Sequence, residues 1–131
     1  MEKVDFVNYR ALAAEVRQLR SYLGDLERSL LALSSPGSPR SRVPDKAARM
    51  ARVEEIRQLY AAKVADKMAR LLVLEEAVDA LEAPAERLVM RLRYFEGRSW
   101  PSVCGWLQRE GFSERQVYRL HGSALQKLKE A

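Results

Sequence analysis

The sequence predicts an all-α fold: a long antiparallel helical hairpin of coiled-coil character followed by a C-terminal helix-turn-helix domain. Three observations point there. Leu, Ala, Glu, Arg and Lys dominate the 131 residues, a composition that suits long helices better than sheets. Two stretches on either side of a Pro/Ser/Gly-rich segment carry apolar residues at alternating three- and four-residue steps. After Pro84 the pattern changes to three short helices with glycine and capping residues between them.

The first helix is expected from about Val4 to Leu33. Tyr9, Leu12, Val16, Leu19, Leu23, Leu26, Leu30 and Leu33 form a seam along one side, and such a seam requires an apolar partner. Glu15, Arg17, Arg20, Asp25, Glu27 and Arg28 fill the solvated face between them. Gly24 lies off the seam, where it weakens the helix without ending it. A flexible loop over residues 34–46 follows, because three prolines, a glycine and four serines cannot continue a helix. Its Arg40 and Arg42 are within reach of a phosphate, but the loop reads foremost as a solvated connector.

A second long helix is expected to start after Asp45 as N-cap and to run to about Glu82. Its seam is Val53, Ile56, Tyr60, Val64, Met68, Leu71, Leu74, Val78 and Leu81. The successive four-residue steps from Tyr60 to Val64 to Met68 interrupt the heptad, so supercoiling should relax there. Two amphipathic helices joined by a polar loop make residues 1–83 an antiparallel hairpin. One hairpin buries little alone, so self-association into a homodimer is expected.

Residues 84–131 form the second expected domain. Pro84 opens a helix carrying Leu88, Leu92 and Phe95, which Glu96-Gly97-Arg98 breaks. Ser99 caps the next helix, whose first turn accepts Pro101 and whose inner face holds Trp100, Val103, Trp106 and Leu107. Gly111 supplies the left-handed residue of a tight turn. Ser113 then opens the last helix with Gln116 three residues on, a capping box, and Val117, Leu120, Ala124 and Leu128 line its buried side. A short helix, a glycine turn and a capped basic helix make a helix-turn-helix. Gly105 reads as a residue that lets two helices approach closely, and Cys104 as a small buried packing residue. Trp100 and Trp106 read as core anchors.

Charge points to the partner. The net charge is +5, and the pI is near 9.6. Residues 84–131 hold nine Lys/Arg against five Asp/Glu, whereas residues 1–83 hold fourteen against thirteen. The excess positive charge therefore lies in the last third, as binding to phosphates requires. With Val117 and Leu120 inward, Glu114, Arg115, Tyr118, Arg119 and Gly122 point outward. Arginine matches guanine edges and phosphates, and tyrosine can donate to a phosphate or touch a thymine methyl.

Several classes are set aside. One cysteine permits neither an intramolecular disulfide nor a cysteine zinc site. No Gly-rich phosphate loop, HExxH or carboxylate metal cluster is present, and His121, the single histidine, lacks a nucleophile or orienting partner at recognisable spacing. His121 reads instead as a polar residue packing near the turn or reaching a phosphate. An enzyme is not expected, nor are catalytic residues, a metal or a cofactor. No signal segment or membrane span is legible, so a cytoplasmic protein without membrane partners is the expectation.

The runs Leu88-Val89-Met90-Arg91-Leu92-Arg93-Tyr94-Phe95, Ser99-Trp100-Pro101-Ser102-Val103, Ser113-Glu114-Arg115-Gln116-Val117-Tyr118-Arg119-Leu120-His121 and Ala124-Leu125-Gln126-Lys127-Leu128 resemble sigma-70 region 4. They are closer still to small phage-type regulators of that fold, the RinA/ArpU-like group. The resemblance covers about the last 48 residues; the N-terminal part matches only as a generic helical region. It implies a sequence-specific, phage- or prophage-encoded transcriptional regulator acting in the cytoplasm of a bacterial host. The helix over 113–129 would enter the major groove of double-stranded DNA, with Ser113, Glu114, Arg115, Gln116, Tyr118, Arg119 and Lys127 as the DNA-binding residues. RNA polymerase is a further implied partner. Two alternatives share the architecture: a small terminase-type DNA-recognition subunit for packaging, and a coiled-coil adaptor that binds RNA polymerase rather than DNA.

Overall fold

The computed structural model describes residues 1–34 and 43–131, and within these every regular element is helical. The elements are α1 (Lys3–Val7), α2 (Tyr9–Ser34), α3 (Val43–Asp79), α4 (Pro84–Met90), a π-helical turn (Arg91–Phe95), α5 (Trp100–Gln108) and α6 (Glu114–Glu130). Helix extends into the expected loop over 34–46 from both sides. Ser34 still belongs to α2, and α3 begins at Val43 with Pro44 in its first turn, where a missing N–H costs nothing. Asp45 therefore lies inside the helix rather than capping it. Residues 35–42, including Arg40 and Arg42, fall outside the described residues.

Two further boundaries differ from the periodicity. The first helical stretch is interrupted at Asn8, which separates the short α1 from α2. Phe6 and Tyr9, three residues apart and so on one side of this stretch, both enter one apolar cluster. Helix α3 stops at Asp79 rather than near Glu82. Leu81 there donates its N–H to the Val78 carbonyl, and the Arg87 guanidinium takes up the Leu81 and Glu82 carbonyls at 2.5 and 3.1 Å. Those carbonyls are satisfied by a side chain, so the helix need not continue.

The chain divides into two compact units. One is Ala14–Ala69, made of stretches of α2 and α3. Within it Glu15 pairs with Lys67 at 2.9 Å and the Tyr22 and Tyr60 rings meet edge to face at 6.1 Å. Partners descend α3 as they ascend α2, so the two stretches run antiparallel. Val16 and Val64 are buried, and Leu19, Leu23, Leu26, Ile56, Tyr60 and Met68 are half-buried, as the seams require.

The other unit is Met1–Ala13 with Arg70–Ala131, and two apolar clusters organise it. Phe6, Tyr9, Leu74, Val78, Leu81, Met90, Tyr94, Ala124 and Leu128 form the first. Val89, Leu92, Val103, Cys104, Leu107 and Val117 form the second, with Trp100, Trp106 and Leu120 packed on it. Neighbouring residues of α4 and the π turn thus serve different cores: Met90 and Tyr94 one, Val89 and Leu92 the other. The π turn is closed by Glu96 N–H to the Arg91 carbonyl at 2.8 Å.

Gly97, at φ +71°, ends this segment. A Cβ there would collide with the Arg10 side chain, whose Nη1 donates to the Phe95 carbonyl at 3.1 Å. The N-terminal segment therefore closes over this turn. Ser99 caps α5 through the Ser102 N–H at 3.3 Å, and Pro101 sits in the first turn. The end of α5 is a six-to-one closure: Phe112 N–H reaches the Leu107 carbonyl at 3.0 Å and Gly111 N–H the Gln108 carbonyl at 3.1 Å. Gly111 takes φ +92°, the left-handed conformation that closure demands. Cys104 is buried as a packing residue. The expectation for Gly105 is not met: among the described residues a Cβ there would meet no atom within 4 Å, so none of their helices approaches closely at that point.

Candidate nucleic-acid interface

Helix α6 is fixed at its N-terminus before it is fixed by packing. Ser113 Oγ accepts from Gln116 N–H at 3.2 Å and the Gln116 side chain accepts from Ser113 N–H at 2.7 Å, a reciprocal pair that satisfies two otherwise orphaned donors. Val117, Ala124 and Leu128 are buried, and Leu120 and Leu125 half-buried. At 100° per residue this leaves Arg115, Arg119, Gly122 and Gln126 on the opposite strip, all exposed. Ser113, Glu114, Arg115, Tyr118 and Arg119 line one shallow, open concavity. Six of the seven candidate residues thus belong to the first turns of α6. Ser113 and Gln116 are engaged in the cap, while Glu114, Arg115, Tyr118 and Arg119 face solvent.

Tyr118 is set to one side of that strip. It remains 44% exposed, yet its ring leans on Trp100 at 5.2 Å between centroids. Partial desolvation, together with Cys104 and Glu114 beside it, raises the phenol above the ordinary tyrosine pKa, so it stays a neutral hydrogen-bond donor. Cys104 is its side-chain partner, and burial likewise keeps that thiol protonated. The Arg93 guanidinium lies over the Trp100 indole at 4.9 Å, a cation–π contact. The same guanidinium donates to the Arg98 carbonyl at 2.8 Å.

His121 lies next along this flank and packs inward. Its Nε2 and the Tyr94 hydroxyl share a hydrogen bond at 2.7 Å, and its ring meets Trp100 edge-on at 4.6 Å. Burial first, then the nearby Lys3 and Arg93 charges, lowers its pKa to about 4. At neutral pH it is an uncharged packing residue, not a cation for phosphate.

The seventh candidate, Lys127, is placed apart from the others. Its Nζ donates to both oxygens of Glu86 at 3.0 and 3.1 Å, and Ser123 Oγ donates to the same carboxylate at 2.7 Å. Glu86 is 4% exposed, so this is the buried carboxylate that ties α4 to α6. The Ser123/Lys127 spacing was the only trace of this network in the sequence; its acidic member lies about forty residues earlier and carries no spacing signal.

Among the described residues no three His, Cys, Asp or Glu side chains are grouped to hold a metal ion. No helix among them is long and apolar enough to cross a membrane. Comparison of the chain with protein-family models, with curated proteins and with solved structures finds no match.

Proposed function

We propose that the chain is a sequence-specific DNA-binding transcriptional regulator that lays α6 in the major groove. One observation carries the reading. Arg115 and Arg119 project one turn apart from the capped N-terminal half of α6, while Val117 between them is fully buried. A helix held by one side and presenting arginines on the other is the shape that a groove about 12 Å wide admits. Arginines so placed reach guanine edges or phosphates, and the neutral Tyr118 donor beside them suits a phosphate oxygen.

In this reading α5, the Gly111 turn and α6 form a helix-turn-helix, and α2 with α3 forms a helical hairpin. The basic balance of residues 84–131 supports an anionic partner. The likeness to sigma-70 region 4 and the RinA/ArpU-like group extends the reading to a phage or prophage regulator acting in the cytoplasm of a bacterial host. One short helix makes few base contacts, so a homodimer that presents two would be the route to useful affinity.

The test is selection of bound sequences from a random duplex pool, followed by binding measurements across salt. An enriched motif whose affinity falls steeply with salt supports the reading. Absence of any duplex binding at low salt sinks it. Retention of RNA polymerase under those conditions would favour the adaptor alternative instead.

A further inference from the structure

We infer that Gly122 is where a bound duplex comes closest to α6, its missing side chain leaving room for one sugar–phosphate strand; this rests on the DNA reading above. Gly122 lies inside α6, exposed, with helical backbone that any residue could adopt. Glycine at such a position weakens a helix relative to alanine, because it forfeits more backbone freedom on folding. The fold asks for nothing in return. Among the described residues a Cβ at Gly122 would meet no atom within 4 Å, whereas at Gly97 the backbone is left-handed and a Cβ would displace the Arg10 side chain. Gly24 and Gly105 are equally free of such a demand; what sets Gly122 apart is its place on the arginine-bearing strip of α6.

That place indicates which group comes closest to it. Gly122 follows Arg119 by three residues and Arg115 by seven, and precedes Gln126 by four, all on one strip of α6. The arginines are long and cationic and hold a polyanion at the reach of their side chains. Gly122 is the gap in that row, and a gap lets a partner's backbone sit against the helix itself. A negatively charged strand following the arginines along the strip would pass over it.

The experiment uses the full chain and the duplex enriched by the wild-type protein, read by fluorescence anisotropy, with thermal melts alongside. Gly122→Ala is expected to melt at or above the wild-type temperature yet bind about tenfold more weakly, the loss of one close contact. Gly122→Leu should bind more weakly still. Gly24→Ala is the control: its Cβ would meet only the Arg28 side chain at 3.5 Å, on α2. It should gain helix stability and bind as wild type. Gly105 is unsuited to that use, since it borders a groove beside Glu114 and Tyr118. Wild-type affinity in both Gly122 variants would overturn the inference while leaving the DNA reading intact. Failure of the wild-type protein to enrich any duplex would remove both, and that result is seen before any variant is made.

Discussion

Lys127 on α6 donates to both carboxylate oxygens of Glu86 on α4, at 3.0 and 3.1 Å. The lysine is half exposed but the carboxylate is buried, so the partner that suffers from its loss is Glu86. Lys127→Ala should cost about 1–3 kcal/mol of stability, since only Ser123 then remains to satisfy a buried charge. Denaturant titration measures it. If Lys127 serves the fold in this way, duplex affinity should change less than with Arg115→Ala or Arg119→Ala; a larger change would return Lys127 to the contact surface.

The two arginines of the exposed strip should outweigh those between α2 and α3. Arg115→Ala with Arg119→Ala should lose about 1–3 kcal/mol of discrimination for each arginine that reads a base. Arg40→Ala with Arg42→Ala should lose little and show no preference among sequences. Equal losses from the two pairs, measured on the same selected duplex, would argue against α6 as the reading helix.

Gly97 and Gly111 both have positive φ, but their surroundings differ. Gly111→Ala should cost about 1–2 kcal/mol, the penalty for a left-handed residue with a Cβ, because the space around it is open. Gly97→Ala must also displace Arg10, so its cost should be larger. Melting temperatures in the reverse order would mean that Arg10 does not cover the turn.

His121 makes stability depend on pH. The unfolded chain takes up the imidazole proton near pH 6.5, whereas the folded chain holds the ring neutral down to about 4. Between those values unfolding binds a proton, so the contribution is complete above pH 6.5 and is lost as pH falls towards 4. Lys3 and Arg93 face the ring and oppose its protonation, and Tyr94 and Trp100 enclose it. The melting temperature of His121→Gln should fall less steeply over that window than that of the wild type. Parallel curves would show that His121 titrates alike in both states.

Phe6 is 1% exposed, and it packs with Met90, Tyr94, Ala124 and Leu128. Phe6→Ala should therefore cost about 3–5 kcal/mol. Trp100 and Trp106, far along the chain, should report the loss in the same unfolding transition. A tryptophan signal unchanged by the substitution would mean that the C-terminal helices hold together without the N-terminal segment.

The features legible in the sequence are those whose causes are local. The capping box of Ser113 and Gln116, the Ser99 cap, the turns at Gly97 and Gly111, and the buried faces of α5 and α6 each depend on residues within about one or two helical turns. Side-chain chemistry at fixed spacing determines them, as it does the seams of α2 and α3 and the exposure of Arg115 and Arg119. Tertiary structure alone decided the rest, because the physical cause lies on a distant segment. The burial of Phe6 beside Leu74, Val78, Tyr94 and Leu128 is of this kind. Lys127 was legible as a basic residue on a basic helix, but only the buried Glu86 determines where its charge is engaged. Gly105 was legible as small, but only packing determines whether anything approaches it, and among the described residues nothing does.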